Sequence, residues 1–161
     1  MAWESTLVNL LRNYIGDLDC DNQSFTDNQL KEYLVFAAEL VTAENGNITT
    51  SFVFDRDTPD ITPDPTSTTV QNGVAYLFVL RAGAIIALSE IRANVSKFGI
   101  RVKDDMTEFD GKAGMAGTMA TLQAFVDNYE SARKEWNWTN KATGRAIMGS
   151  YASADSPLNR S

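Results

Sequence analysis

The chain contains no histidine among its 161 residues. That removes the side chain most used as a general base near neutral pH and the commonest protein ligand for transition metals, so Ser-His-Asp and Cys-His catalysis are excluded. Cysteine is nearly as scarce. Cys20 stands alone, which rules out an intrachain disulfide and a cysteine-rich zinc site, and with no cation close by in sequence it reads as a buried, unreactive thiol. Positive charge is also short: 14 Lys and Arg face 21 Asp and Glu, a net charge of −7. A surface that grips nucleic acid needs clustered cations to displace condensed counterions, so this balance speaks against phosphate binding but not against a protein that merely surrounds DNA. Residues 1–11 carry Glu4 and lack the basic start and long apolar run of a signal peptide, which predicts a protein that stays inside the cell that makes it. The Asn-x-Ser/Thr triplets at Asn22, Asn47, Asn94 and Asn137 then read as chance.

What is present is a hydrophobic content of 43%, enough for one sizeable core in a chain of single-domain length. Leu7, Leu10, Leu11, Tyr14, Ile15 and Leu18 recur at three- and four-residue spacing and predict a short amphipathic helix ending near Gly16. Thr26 and Gln29 form a capping box, with Phe25 placed to staple onto Leu30. The helix they open carries Leu30, Tyr33, Leu34, Ala37, Ala38 and Val41 on one side and stops at Asn45-Gly46, residues tolerant of the left-handed conformation. Residues 47–55 are β-branched and aromatic and predict a strand, and 57–65, with Pro59, Pro63 and Pro65, predict a stiff exposed loop. Residues 74–91 are apolar almost all round, the pattern of a helix buried on most sides; Arg81 near the middle speaks against a membrane span. Residues 99–103 alternate apolar and polar and, with 104–111, predict a small hairpin or arm. Met115, Met119, Leu122, Val126, Tyr129 and Trp136, widened by Phe125 and Ala132, predict a long helix over 112–136. The expected fold is mainly α: a bundle of about four helices over 1–136 with a short strand or hairpin arm, followed by an extended tail over 137–161, rich in Ser, Gly, Ala and Asn, that a partner orders.

No arrangement of residues builds a catalytic, cofactor or metal site, and the chain reads as a structural protein and not an enzyme. Asp17, Asp19 and Asp21 alternate as at the start of an EF-hand, but Asn22 stands in place of the turn glycine and Asn28 in place of the closing glutamate, so a solvated linker is the better reading. Asp55, Asp57, Asp60 and Asp64 resemble a calcium cluster only superficially, because a proline loop does not fix carboxylates across a cleft. Gly111, Gly114 and Gly117 lack the strand and the Gly-Lys-Ser/Thr ending of a phosphate loop and read as close packing or a frayed first turn. Trp136 and Trp138 beside Arg133 and Lys134 could stack single-stranded bases, but on an acidic chain they read better as aromatic anchors of a protein contact.

Taken in order, PheThrAspAsnGlnLeu…AlaAlaGluLeu at 25–40, TyrLeuPheValLeuArgAlaGlyAlaIle at 76–85, GlyIleArgValLysAsp at 99–104, ThrGluPheAspGlyLysAla at 107–113 and AsnTyrGluSerAlaArg at 128–133 resemble the head-to-tail connector proteins of tailed bacteriophages, also called head completion or neck adaptor proteins. The resemblance is one of order and style across about residues 5–135. It implies a helical protomer of the virion neck, assembled in the host cytoplasm as a homo-oligomeric ring, expected to be a dodecamer. Such a ring joins the portal protein to the stopper or tail-completion protein and extends the DNA channel, with no sequence-specific DNA binding and no membrane. In that setting Trp136, Trp138, Arg145, Ile147 and Tyr151 are the expected portal contacts, and Phe52, Phe54, Asp57, Pro59 and Ile61 the expected subunit or stopper contacts. The alternative is a cytosolic helical protein-binding or regulatory module.

Overall fold

The computed structural model describes residues 2–19, 21–98, 103–104, 107–108 and 111–142, with side chains over 3–19, 21–93 and 116–140. The expectations for Cys20, for 99–102 and for Arg145, Ile147 and Tyr151 fall outside these residues. The fold is mainly α, as the hydrophobic periodicities predict: α1 (Ala2–Ile15), α2 (Asp27–Glu44), α3 (Val74–Phe98) and α4 (Gly111–Ala142). Two antiparallel hairpins complete it, β1 (Val53–Asp55) with β2 (Asp60–Thr62) and β3 (Lys103–Asp104) with β4 (Thr107–Glu108). The second lies where the alternating arm is expected.

Trp3, Leu7 and Leu11, spaced by one helical turn, are the buried stripe of α1. Leu10 and Leu18, expected on that face, are 47% and 58% exposed. Leu10 sits about 100° round the helix from Leu11, and Leu18 lies beyond Gly16, whose φ of +80° turns the chain away. Arg12 then fixes the connection to α2. Buried itself, it donates to Asp17 at 2.6 Å, to Asp27 at 2.6 Å and to the Phe25 carbonyl at 2.9 Å. A buried guanidinium is tolerated because its donors are met.

At the start of α2 the capping box is complete: Gln29 N–H donates to Thr26 Oγ1, and Thr26 N–H to Gln29 Oε1. Phe25 sets its ring edge-on to Tyr33, with centroids 6.1 Å apart. The helix ends at the expected place by a different means. Asn45 has φ −119°, and among the described residues those of positive φ are Gly16 and Gly73, so no left-handed cap is used. The buried Asn45 side chain instead donates to the Val41 carbonyl at 2.8 Å.

The strand expected over 47–55 is three residues long, and its partner emerges from the proline-containing segment expected to be an exposed loop. Phe54 pairs with Ile61 on the inner side and Val53 with Thr62 on the outer side. Ile61 and Pro65 are buried, so this segment is not simply solvated. The Asp55 carboxylate closes the turn by accepting the Thr58 hydroxyl at 2.6 Å and the N–H groups of Thr58 and Asp57. The Thr58 hydroxyl foremost, then those two amides, hold its pKa below the usual carboxylate value. Trp3 Nε1 donates to Asp60 and Arg56 pairs with Glu39, tying the hairpin to α1 and α2; the Thr62–Pro63 peptide is cis.

α3 is the central helix, with Val74, Leu77, Phe78, Ala82 and Ile86 buried against its neighbours. Its segment Val74–Ala93 is long and apolar enough to cross a membrane by length and composition, and in this fold most of it faces protein. α1 and α2 pack on α3 and on each other. α4 packs along α3, and among the described residues it reaches α1 and α2 through side chains alone. The helix passes through the boundary expected after Trp136 and continues to Ala142.

Candidate functional site

Because α4 rests on one neighbour, its two flanks depend on what individual side chains span the gaps. Toward its C-terminal end they span them closely. Glu44, in the last turn of α2, carries negative charge where the helix dipole disfavours it, and the structure compensates from α3 and α4. Arg81 donates to its Oε1 at 2.6 Å, the Tyr129 hydroxyl donates to its Oε2 at 2.6 Å, and Arg133 lies 3.5 Å from the same oxygen while also pairing with Glu130. The Arg81 guanidinium covers the Tyr129 ring, 4.9 Å from its centroid. Burial foremost, then the Glu44 carboxylate as acceptor and as charge, pushes the Tyr129 phenol up to about 12. This tyrosine therefore holds its proton across the physiological range and acts as a structural donor.

About two turns beyond Tyr129 along α4 the connections continue. Asn137 donates to Asn45 Oδ1 at 3.2 Å and accepts from Asn47 at 2.8 Å. Trp136 is buried, its Nε1 donating to the Asn72 carbonyl at 3.0 Å while its ring lies against Gly73, where a Cβ would come within 3.2 Å. Gly73 has φ +86°, which a side chain would also resist. Of the expected portal contacts with described side chains, Trp136 thus belongs to the core and Trp138, 76% exposed, stands at the surface.

Toward the N-terminal half of α4 the gap on the α2 side is left open by the described residues. Phe36 and Leu40 from α2, Ile85 and Leu88 from α3, and Leu122 and Val126 from α4 line a groove of about 450 Å³. Among the described residues its charged lining is Arg81 and Arg92, with no carboxylate. Of the eight exposed large hydrophobic residues among those described, Phe36 and Leu88 line it, and Met119 lies one turn from Leu122. Apolar surface concentrated in a concave site marks an interaction surface, whereas the same residues scattered singly would mean nothing. The groove was not visible in the pattern. α3 is apolar all round, so the sequence gives no means of telling which of its sides α4 leaves uncovered.

On the α1 side a smaller cavity of about 260 Å³ lies under the α1–α2 connection, lined in part by Asp17, Asp19 and Glu90. Its aspartates are engaged locally. Asp17 pairs with Arg12 and accepts from Ser24 N–H, and Asp19 accepts from Asn22 and from Asp21 N–H. Among the described residues no three or more His, Cys, Asp or Glu side chains are grouped to hold a metal ion.

The expected subunit or stopper contacts divide by the alternation of the hairpin. Phe52 and Ile61 are buried and Phe54 is half-buried, with the Phe52 ring 5.6 Å from that of Phe78, so the aromatic side of the strand expected at a contact faces inward. Asp57 is exposed and Pro59 half-exposed. Val53, not among the expected contacts, is 68% exposed on the outer side. Comparison with protein-family models, with curated proteins and with solved structures finds no match to this chain.

Proposed function

We propose that this chain is a structural protein of a tailed-phage neck, forming a ring that joins the portal to the stopper or tail and extends the DNA channel. The observation that carries the reading is the ordered series of segments along residues 25–133 that resembles head-to-tail connectors. Two physical features support it. The chain is acidic, at −7, and an acidic ring lets a polyanion pass because like charges remove the phosphate-binding term. The apolar groove between α2, α3 and α4 is surface that a protein finished by neighbours would bury. In this reading the segment following α4, with Arg145, Ile147 and Tyr151, docks on the portal together with the exposed Trp138. Asp57 and Pro59 lie at a subunit or stopper contact.

Quantitative mass analysis of purified virions tests the reading. The chain is expected at about the portal's copy number, far below that of the capsid protein. Its absence from virions overturns the proposal and leaves a helical protein-binding module of the cytosol. Removal of residues 143–161 should leave a folded chain that no longer joins portal; retained binding would remove the tail from the contact.

A further inference from the structure

We infer that the groove between α2, α3 and α4 receives the β1–β2 hairpin of a second copy of this chain, with the neighbour's Val53 entering the groove and its Asp57 meeting Arg92. The inference deepens the ring reading above, on which it rests for the head-to-tail sense of the contact.

The choice of occupant follows from charge and shape. On a chain of net charge −7, a groove whose charged lining among the described residues is two guanidiniums is opposite in sign to the molecule around it. Arg81 is already held by Glu44, whereas Arg92 is exposed and has no carboxylate partner among the described residues. An acidic partner with an apolar projection therefore fits, and the hairpin is such a projection. Among the described residues Val53 is the most exposed of the large aliphatic side chains, at 68%. Next to it the exposed turn carries Asp55, committed to the turn itself, and Asp57, whose carboxylate accepts no hydrogen bond from the described residues. The one cation of the turn, Arg56, pairs with Glu39 of its own α2.

The same anchoring keeps the contact from closing within one chain. The inner side of the hairpin, Phe54 and Ile61, covers the core, and Trp3–Asp60 and Arg56–Glu39 pin its ends, so Val53 and Thr62 face outward. A projection and a groove that differ, both on one chain, make a heterologous contact, which repeats from copy to copy and closes into a ring when the rotation allows.

The test is disulfide trapping in the full chain with Cys20→Ser, Val53→Cys and Leu88→Cys, purified and oxidised mildly over a range of concentration. Both new cysteines replace exposed residues, and circular dichroism confirms that each variant is folded. The expected result is a ladder of covalent oligomers from the double-cysteine chain, with no species above a dimer from either single-cysteine chain. Arg92→Glu should lower the ladder yield about five-fold, and Asp57→Arg in the same chain should restore it, since the two reversals together re-form the pair. A fast-migrating monomer with an internal disulfide, no species above a dimer at any concentration, or a ladder indifferent to both reversals each overturns the inference. A ladder from a chain that virions lack would sink the neck reading and leave this contact standing. A chain present in virions that gives no ladder would do the opposite.

Discussion

Tyr129 and Met119 belong to the same apolar stripe of the same helix, yet one is wholly buried and the other is 48% exposed. Around Tyr129 the side chains of Glu44, Arg81 and Arg133 converge, and beyond it Asn137 and Trp136 are each bonded to the far side. Around Met119 no corresponding bond joins α4 to α2 among the described residues, and the groove lies open. Helix α4 is thus held at one end by directional contacts that fix its position, and at the other by its packing on α3 and by the Tyr14–Phe125 ring contact with α1. What differs is not hydrophobicity but whether a neighbour supplies a polar partner at the right depth. A helix end held this way passes its orientation to the chain beyond it, and the chain beyond Ala142 is the segment proposed to engage the portal.

The largest expected contrast is between truncations at the two ends. Trp136→Ala removes a buried indole, its bond to the Asn72 carbonyl and the cover over Gly73, and should cost about 3–4 kcal/mol in urea unfolding. Met119→Ala, half exposed at the open end, should cost less than about 0.5 kcal/mol. Equal costs would erase the distinction between the two ends. The second effect is a pH dependence of the held end. Because the folded-state pKa of Tyr129 is raised to about 12 from 10.0, its contribution is fully present below pH 10 and is lost as pH rises toward 12. Stability should fall in that window by on the order of 2 kcal/mol more in the parent than in Tyr129→Phe. Parallel profiles for the two proteins would show that the buried phenol is not coupled to Glu44 as described.

A third variant probes how α1 meets the open half of α4. A Cβ on Gly83 would come within 2.5 Å of the Tyr14 ring, which itself packs edge-on against Phe125 with centroids 4.8 Å apart. Gly83→Ala should therefore destabilise by about 1–2 kcal/mol, in spite of alanine's better helix propensity. The cost should shrink in a Tyr14→Ala background, where the obstruction is gone; an unchanged cost would place the strain elsewhere.

The sequence made the helices legible because local devices mark them: the Thr26–Gln29 box, the recurring Leu7 and Leu11 of α1, the mostly apolar run of α3. It misjudged features set by tertiary partners. Leu10 matched the stripe by spacing but not by angle. Phe52 and Phe54 were expected at a contact, and the alternation instead turns Val53 outward, because Phe78 and the core claim the aromatic side. Asn45 stops α2 without a left-handed turn, since its own amide satisfies the Val41 carbonyl. Arg81, read as an interruption, is one side of the Glu44 cluster, whose members come from three helices and share no local pattern. The groove was illegible for a similar reason: it is surface left over from packing, and no residue in it is unusual by itself.

The smallest expected effect has the opposite sign and bears on the open end alone. Gly117 lies in α4 where an added Cβ would meet nothing within 4 Å, so the reading of these glycines as close-packing residues does not hold at this position. With no packing role to lose, Gly117→Ala should stabilise the protein by about 0.5–1 kcal/mol, the difference in helix propensity between the two residues. Thermal unfolding would register this as a rise in midpoint of a few degrees. Hydrogen exchange should show the gain as slower opening around 117–122, with little change near Tyr129, where exchange is governed by the Glu44 cluster. A loss of stability on Gly117→Ala would mean that the open half of α4 is covered in solution, and the contrast between the two ends would then be one of timing and not of structure.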